Sequence, residues 1–170
     1  MKGIILSGGS GSRLYPITLS ISKQIIPIYD KPMIYYPLSV LMLAGIRDIL
    51  IIVNKGQLNQ FRKILSNGER LGIKINYIEQ KTPRGLPDAF ILGEKFIGKN
   101  NIALILGDNF FYGQSLTNKL KNCIKLKSGC KILLHSVKNP NLYGVATINK
   151  KNRILSLKEK PKNSKSNLAI

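Results

Sequence analysis

Five consecutive aliphatic residues, Ile49 to Val53, constrain the fold more than any other stretch. Successive side chains of a strand point to opposite faces, so an unbroken apolar run marks a strand covered on both sides. A parallel sheet with helices on either face provides that cover. Apolar runs recur at 3–6 and 102–106, and Ile73, Ile75 and Tyr77 alternate with polar residues through 73–79. Between these runs, 33–45, 57–66 and 86–97 read as helices by length and apolar spacing. Gly45 and Asn67-Gly68 stop the first two, and Pro87 opens the third, where a proline is tolerated. Pro37 places a first turn or a kink inside the first helix. A fourth helix is read at 116–126. Strands follow at 131–137, 144–148 and 154–157, and another opens at Leu168. Strands alternating with helices predict an α/β fold, a mostly parallel mixed sheet flanked by helices, incomplete at its C-terminal end.

At 170 residues a single domain spanning 1–170 is expected. The formal charge of +19, from 27 basic and 8 acidic residues, would ordinarily suggest nucleic acid. Of those basic residues 21 are Lys and 6 are Arg, alongside 25 Ile and 15 Asn. These three abundant residues share A/T-rich codons, and the lysines are spread without interleaved aromatics. We therefore read a solvated basic surface that favours small anions and no nucleic-acid partner. The apolar runs fall short of the roughly 18 residues of a membrane span, and the apolar start of MKGIILSGGSG is too short for a signal peptide. No membrane partner and a cytoplasmic location are expected. Cys123 and Cys130 read as ordinary thiols, and with His135 as the only histidine a His-ligated metal cluster is excluded.

In open α/β sheets ligands sit at the carboxyl ends of the strands. Three loops there carry suggestive chemistry. The first strand gives way to Gly8, Gly9 and Gly11, with Ser10, Ser12 and Arg13. Glycines bring backbone N–H groups close to an anion, and the guanidinium forks onto phosphate oxygens. The spelling excludes a P-loop, since no Gly-Lys-Ser/Thr follows, and a dinucleotide fingerprint, since Leu14 stands where the third glycine belongs. The second loop, Gln80 to Gly85, offers an amide that can pair with a base edge. The third, Gly107 to Asn109, places Asp108 where a carboxylate could ligate Mg2+ near a phosphate. Each loop taken singly is also a plausible plain turn. Glu159 and Lys160 set a carboxylate and an ammonium side by side near a strand end.

Together these stretches resemble the sugar nucleotidyltransferases. The segment GGSGSRLYPITLSISKQIIPIYDKPMIYYPLSV carries the family's glycine loop, its S-K-Q and its Y-D-K-P-M-I-Y-Y-P-L. Q-K-T-P-R-G-L, L-G-D-N-F-F-Y-G, Y-G-V and E-K-P-K follow in family order. The resemblance implies a Rossmann-like core that transfers a thymidylyl group from dTTP (or UTP) to glucose 1-phosphate, giving dTDP-glucose for dTDP-rhamnose synthesis. By the same resemblance Leu6, Gly8, Gly9, Gly11, Ser12, Arg13, Gln80, Gly85 and Asp108 would bind the nucleotide. Lys23, Tyr143, Gly144, Glu159 and Lys160 would bind the sugar phosphate. Arg13, Lys23 and Lys160 would be catalytic, and Asp108 would ligate Mg2+. Homo-oligomers are the family's habit.

The chain departs from the family in places. Ser12 replaces threonine but keeps the hydroxyl. Arg84, Pro87 and Asp88 alter the family's D-G-L-A-Q-A beside the base site. Asn139, Leu142 and Leu168 also differ. The chain corresponds to little more than half of the family length, and the family's second metal-binding aspartate lies beyond that part. A C-terminally truncated enzyme is therefore expected, with an inactive nucleotide-binding remnant as the alternative.

Overall fold

A computed structural model of the chain describes residues 1–9 and 11–170; Ser10, in the glycine loop, lies outside them. The chain divides into two compact units, Met1–Lys125 and Leu126–Ile170.

The first unit contains β1 (Lys2–Ser7), β2 (Pro27–Ile28), β3 (Lys31–Pro32), α1 (Tyr35–Leu43), β4 (Asp48–Asn54), α2 (Leu58–Leu65), β5 (Lys74–Gln80), α3 (Asp88–Leu92), α4 (Glu94–Ile97), β6 (Ile102–Leu106) and α5 (Leu116–Cys123). Four of these strands form a wholly parallel sheet in the order β5-β4-β1-β6. β2 and β3 pair as a short antiparallel ribbon.

The double cover read from Ile49–Val53 is present. Ile49, Ile51 and Val53 join one cluster with Leu38 and Leu41 of α1, Phe61 and Leu65 of α2 and Leu120 of α5. Leu50 and Ile52 join the other with Ile4 of β1 and Ala89 of α3, and Leu92, Phe96 and Ile97 pack against it. Each fully buried aliphatic side chain contributes about 1.5–3 kcal/mol, so β4 anchors both layers.

The helix read across 86–97 is two short helices meeting at Gly93. A β-carbon there would stand 2.8 Å from the Ala89 carbonyl oxygen and 3.3 Å from both Ile4 Cδ1 and Leu50 Cδ2. The glycine thus lets the chain lie close against the sheet. Pro37 falls in the first turn of α1, buried, and causes no break.

The second unit contains β7 (His135–Ser136), β8 (Gly144–Ile148), β9 (Ile154–Glu159) and β10 (Leu168–Ala169). They form an antiparallel sheet in the order β7-β10-β8-β9. The antiparallel strands therefore have a sheet of their own, separate from the parallel one. The strand read at 131–137 shrinks to two residues. The segment at Leu168 does form a strand, pairing with β7 on one side and β8 on the other. Among the described residues of this unit, only Val145, Ala146 and Ala169 are buried. Among the described residues, no helix is long and apolar enough to cross a membrane.

Candidate functional site

Because β1, β4, β5 and β6 are parallel, their carboxyl ends share one edge of the sheet, and the registers bring those ends level. Ser7 lies beside Val53, Leu6 beside Leu106 and Asn54 beside Gln80. Leu6, half-buried, packs into the second cluster and ends the apolar part of β1.

The glycine loop is tied down through its carbonyl oxygens. Gln24 Nε2 donates to the Gly8 carbonyl at 3.2 Å, and Asn54 Nδ2 to that of Gly9 at 2.9 Å. Thr18 Oγ1 donates to the Gly11 carbonyl at 3.0 Å. Ser22 Oγ in turn donates to Gln24 Oε1 at 2.7 Å, fixing the Gln24 amide. Gly9 and Gly11 have φ of +96° and +63°, in the left-handed region that glycine enters without strain. Gly8 is required for a different reason. A β-carbon there would collide with the Gln80 side-chain nitrogen. Base-reading and phosphate-binding candidates thus touch each other.

Gln80 is 2% exposed, and its Nε2 donates to Asn54 Oδ1 at 3.0 Å. Gly85 is in the left-handed region, inside the exposed stretch 81–87. At the end of that stretch Arg84 pairs at 2.8 Å with Asp88, which is 4% exposed. Arg84 and Asp88, two of the departures from the family spelling, therefore form an ion pair with each other. A buried carboxylate needs such a partner.

Ser12 and Arg13 occupy an exposed 3-10 turn, Ser12–Leu14. Lys23 starts another, Lys23–Ile25, and its Nζ meets Asp108 Oδ2 at 2.6 Å. This pair joins the S-K-Q stretch to the loop after β6. Gly107 precedes Asp108, and a β-carbon on it would collide with Ser7 Oγ, so β1 and β6 end in close contact. The Ser7 hydroxyl is buried there with no hydrogen-bond partner among the described residues.

Among the described residues no group of three or more His, Cys, Asp or Glu could hold a metal ion. Asp108 supplies one carboxylate. That donor set fits Mg2+, which is commonly bound by one or two carboxylates together with substrate phosphates and waters.

In the second unit, Gly144 pairs with Glu159 across β8 and β9. The Lys160 backbone N–H donates to the Tyr143 carbonyl at 3.0 Å, and Lys160 Nζ lies 4.0 Å from Glu159 Oε1. Four of the five residues assigned to the sugar phosphate, Tyr143, Gly144, Glu159 and Lys160, are therefore neighbours, with Glu159 and Lys160 exposed, while the fifth, Lys23, belongs to the first unit. Open grooves of about 490 and 370 Å³ line this unit; of the four, Tyr143 alone borders one.

Asn54 and Gln24 were missed as site residues. The signal for Asn54 was a polar residue ending the most buried strand. Sequence reading considered the loops after β1, β5 and β6 and passed over the carboxyl end of β4.

A family model described as "Nucleotidyl transferase" matches residues 2–170. A glucose-1-phosphate thymidylyltransferase from Neisseria meningitidis serogroup A is 54% identical over all 170 residues, which cover 59% of that protein. One from Mycobacterium tuberculosis is 50% identical, with the same 59% covered. The chain thus spans about three-fifths of the length of these curated relatives. A crystal structure from Bacillus anthracis, described as a glucose-1-phosphate thymidylyltransferase in complex with sucrose, superposes with a TM-score of 0.92 at 39% identity. The match covers 100% of this chain and 68% of that one. The α/β, Rossmann-like architecture is shared with that structure.

Proposed function

Since the chain belongs to the nucleotidyl transferase family, we propose that it serves the transfer of a thymidylyl group from dTTP to glucose 1-phosphate, releasing dTDP-glucose and pyrophosphate. The observation that carries this reading is the joining, on one sheet edge, of the glycine loop, Gln80 and the Lys23–Asp108 pair.

A phosphate oxygen of glucose 1-phosphate attacks the α-phosphorus of dTTP. A new P–O bond forms, the α–β anhydride bond breaks, and pyrophosphate leaves with its electron pair. No protein nucleophile is needed, so catalysis is positioning and charge neutralisation. The carbonyls of Gly8, Gly9 and Gly11 are engaged by side chains of the protein body. Their N–H groups, with Ser12 and the exposed Arg13, are what the loop offers a triphosphate. Leu6 sets the floor beneath the nucleotide, and Gln80 and Gly85 read the base. Lys23 neutralises charge as the reacting oxygens approach. Tyr143, Gly144 and Glu159 take the sugar and Lys160 its phosphate. Asp108 would hold Mg2+, which when bound supplies Lewis-acid charge at the phosphate oxygens. UTP shares the base edge that Gln80 reads and is the alternative donor.

The test is pyrophosphate release by the purified chain from dTTP and glucose 1-phosphate with Mg2+. The expected result is turnover that Asp108→Asn, nearly isosteric, abolishes without unfolding the protein. Undiminished turnover in that variant would remove Asp108 from the metal role. A wild-type chain that neither binds dTTP nor releases pyrophosphate would overturn the function.

A further inference from the structure

Two side-chain amides stand in series between the glycine loop and the base-reading position. Asn54 Nδ2 donates to the Gly9 carbonyl at 2.9 Å, and Gln80 Nε2 donates to Asn54 Oδ1 at 3.0 Å. The chemistry of the first link fixes the rest. A backbone carbonyl only accepts, so the Asn54 amino group must face Gly9. Its oxygen then faces Gln80 and demands a donor, so the Gln80 amino group must face Asn54. Gln80 is 2% exposed and packed against Gly8, where no β-carbon could fit. Turning its amide over would set oxygen against oxygen in a buried place and leave a donor unpaired, a costly arrangement.

We propose that Asn54 is a positioning residue that locks the orientation of the Gln80 amide and thereby selects thymine or uracil over cytosine. This rests on the reading of Gln80 as the base contact. With the orientation fixed, a base meets the Gln80 oxygen beside the remaining amino hydrogen. Thymine and uracil present a donor, N3–H, beside a carbonyl oxygen, which complements that pattern. Cytosine presents an unprotonated N3 beside an amino group, the reverse pattern. In the same pose it would set lone pair against lone pair and N–H against N–H. An unrestrained glutamine adapts to either base by turning over; this one is held.

The experiment is equilibrium titration of the purified chain with dTTP and with dCTP, both with Mg2+, for the wild type, Asn54→Ala and Asn54→Asp. The wild type is expected to favour dTTP by at least roughly tenfold, as one well-made base contact gives. Asn54→Ala frees the Gln80 amide and is expected to cut that preference by roughly tenfold, with dCTP binding held or improved. Asn54→Asp keeps the shape but sets a carboxylate against the Gly9 carbonyl, and is expected to weaken dTTP binding more than the alanine variant. Equal losses for both nucleotides in Asn54→Ala would mark Asn54 as structural only and overturn the proposal, as would an unchanged ratio. A wild type that binds dTTP and dCTP equally also overturns it. Failure of the wild type to bind either nucleotide would instead overturn the nucleotide reading, and this inference with it.

Discussion

Tyr77, on β5, shows how local surroundings set a residue's behaviour. Its hydroxyl donates to the Ser66 carbonyl at 2.6 Å. Burial pushes its pKa up to about 12, against a smaller opposing pull from Arg62. The folded chain therefore keeps the phenol proton after the unfolded chain has lost it. The associated stability is fully present below the ordinary tyrosine value near 10 and falls as pH rises from there towards 12. Tyr77→Phe is expected to cost about 1 kcal/mol at pH 7, the worth of the lost hydrogen bond. The variant lacks the alkaline loss, so urea unfolding at pH 7 and pH 11 should show the gap between the two proteins narrowing. A gap that stays constant or widens would mean that burial does not hold the proton. The same scale explains what sequence could reveal of the site. Gly8 was legible as one of the glycines of the loop, but the closeness of Gln80 that leaves no room for a β-carbon there was not, because the two are 72 residues apart and meet only through sheet register.

Elements were legible where burial was two-sided. The aliphatic run of β4 reads as a strand covered on both faces, and both covering layers are present; its neighbours β1 and β5 come from the structure alone. The amphipathic helix α2 was equally plain, with Phe61 and Leu65 buried and Arg62 and Lys63 exposed. Reading was less exact at close approaches. Helical spacing continues through Gly93, where the segment divides into α3 and α4 with no room for a β-carbon beside Ile4 and Leu50. Reading failed at 131–137, where an apolar composition yields only two paired residues. The Gly93 contact yields a prediction against helix propensity. Alanine is favoured over glycine by about 0.8–1.0 kcal/mol in a helix interior. Crowding a packed interior costs about 1–3 kcal/mol. Gly93→Ala should therefore destabilise the protein, by up to about 2 kcal/mol in urea unfolding. A more stable variant would show that the backbone there has room to move.

At the scale of the whole molecule the two units have unequal means of support. The first buries two aliphatic clusters around its sheet. The second, among its described residues, buries Val145 and two alanines, while Leu155 and Leu157 of β9 stay exposed. With so little buried apolar area, the second sheet should open at much lower free energy than the first. Amide hydrogen exchange should be slowest in β1 and β4 and much faster through β8 and β9. Equal protection in the two sheets would show that something other than apolar burial holds the second.

The strand order also imposes a timetable. β1 lies inside the sheet, and its partners are β4 and β6, so Lys2 pairs with Ile102. A ribosome adds about 5–20 residues per second, so roughly 5–20 s pass between the making of β1 and of its second neighbour. For that interval one edge of the first strand has no native partner, and Asp108 has not yet reached Lys23. Within these residues the glycine loop is made long before β6, whose end carries Asp108, can complete the sheet edge beside it.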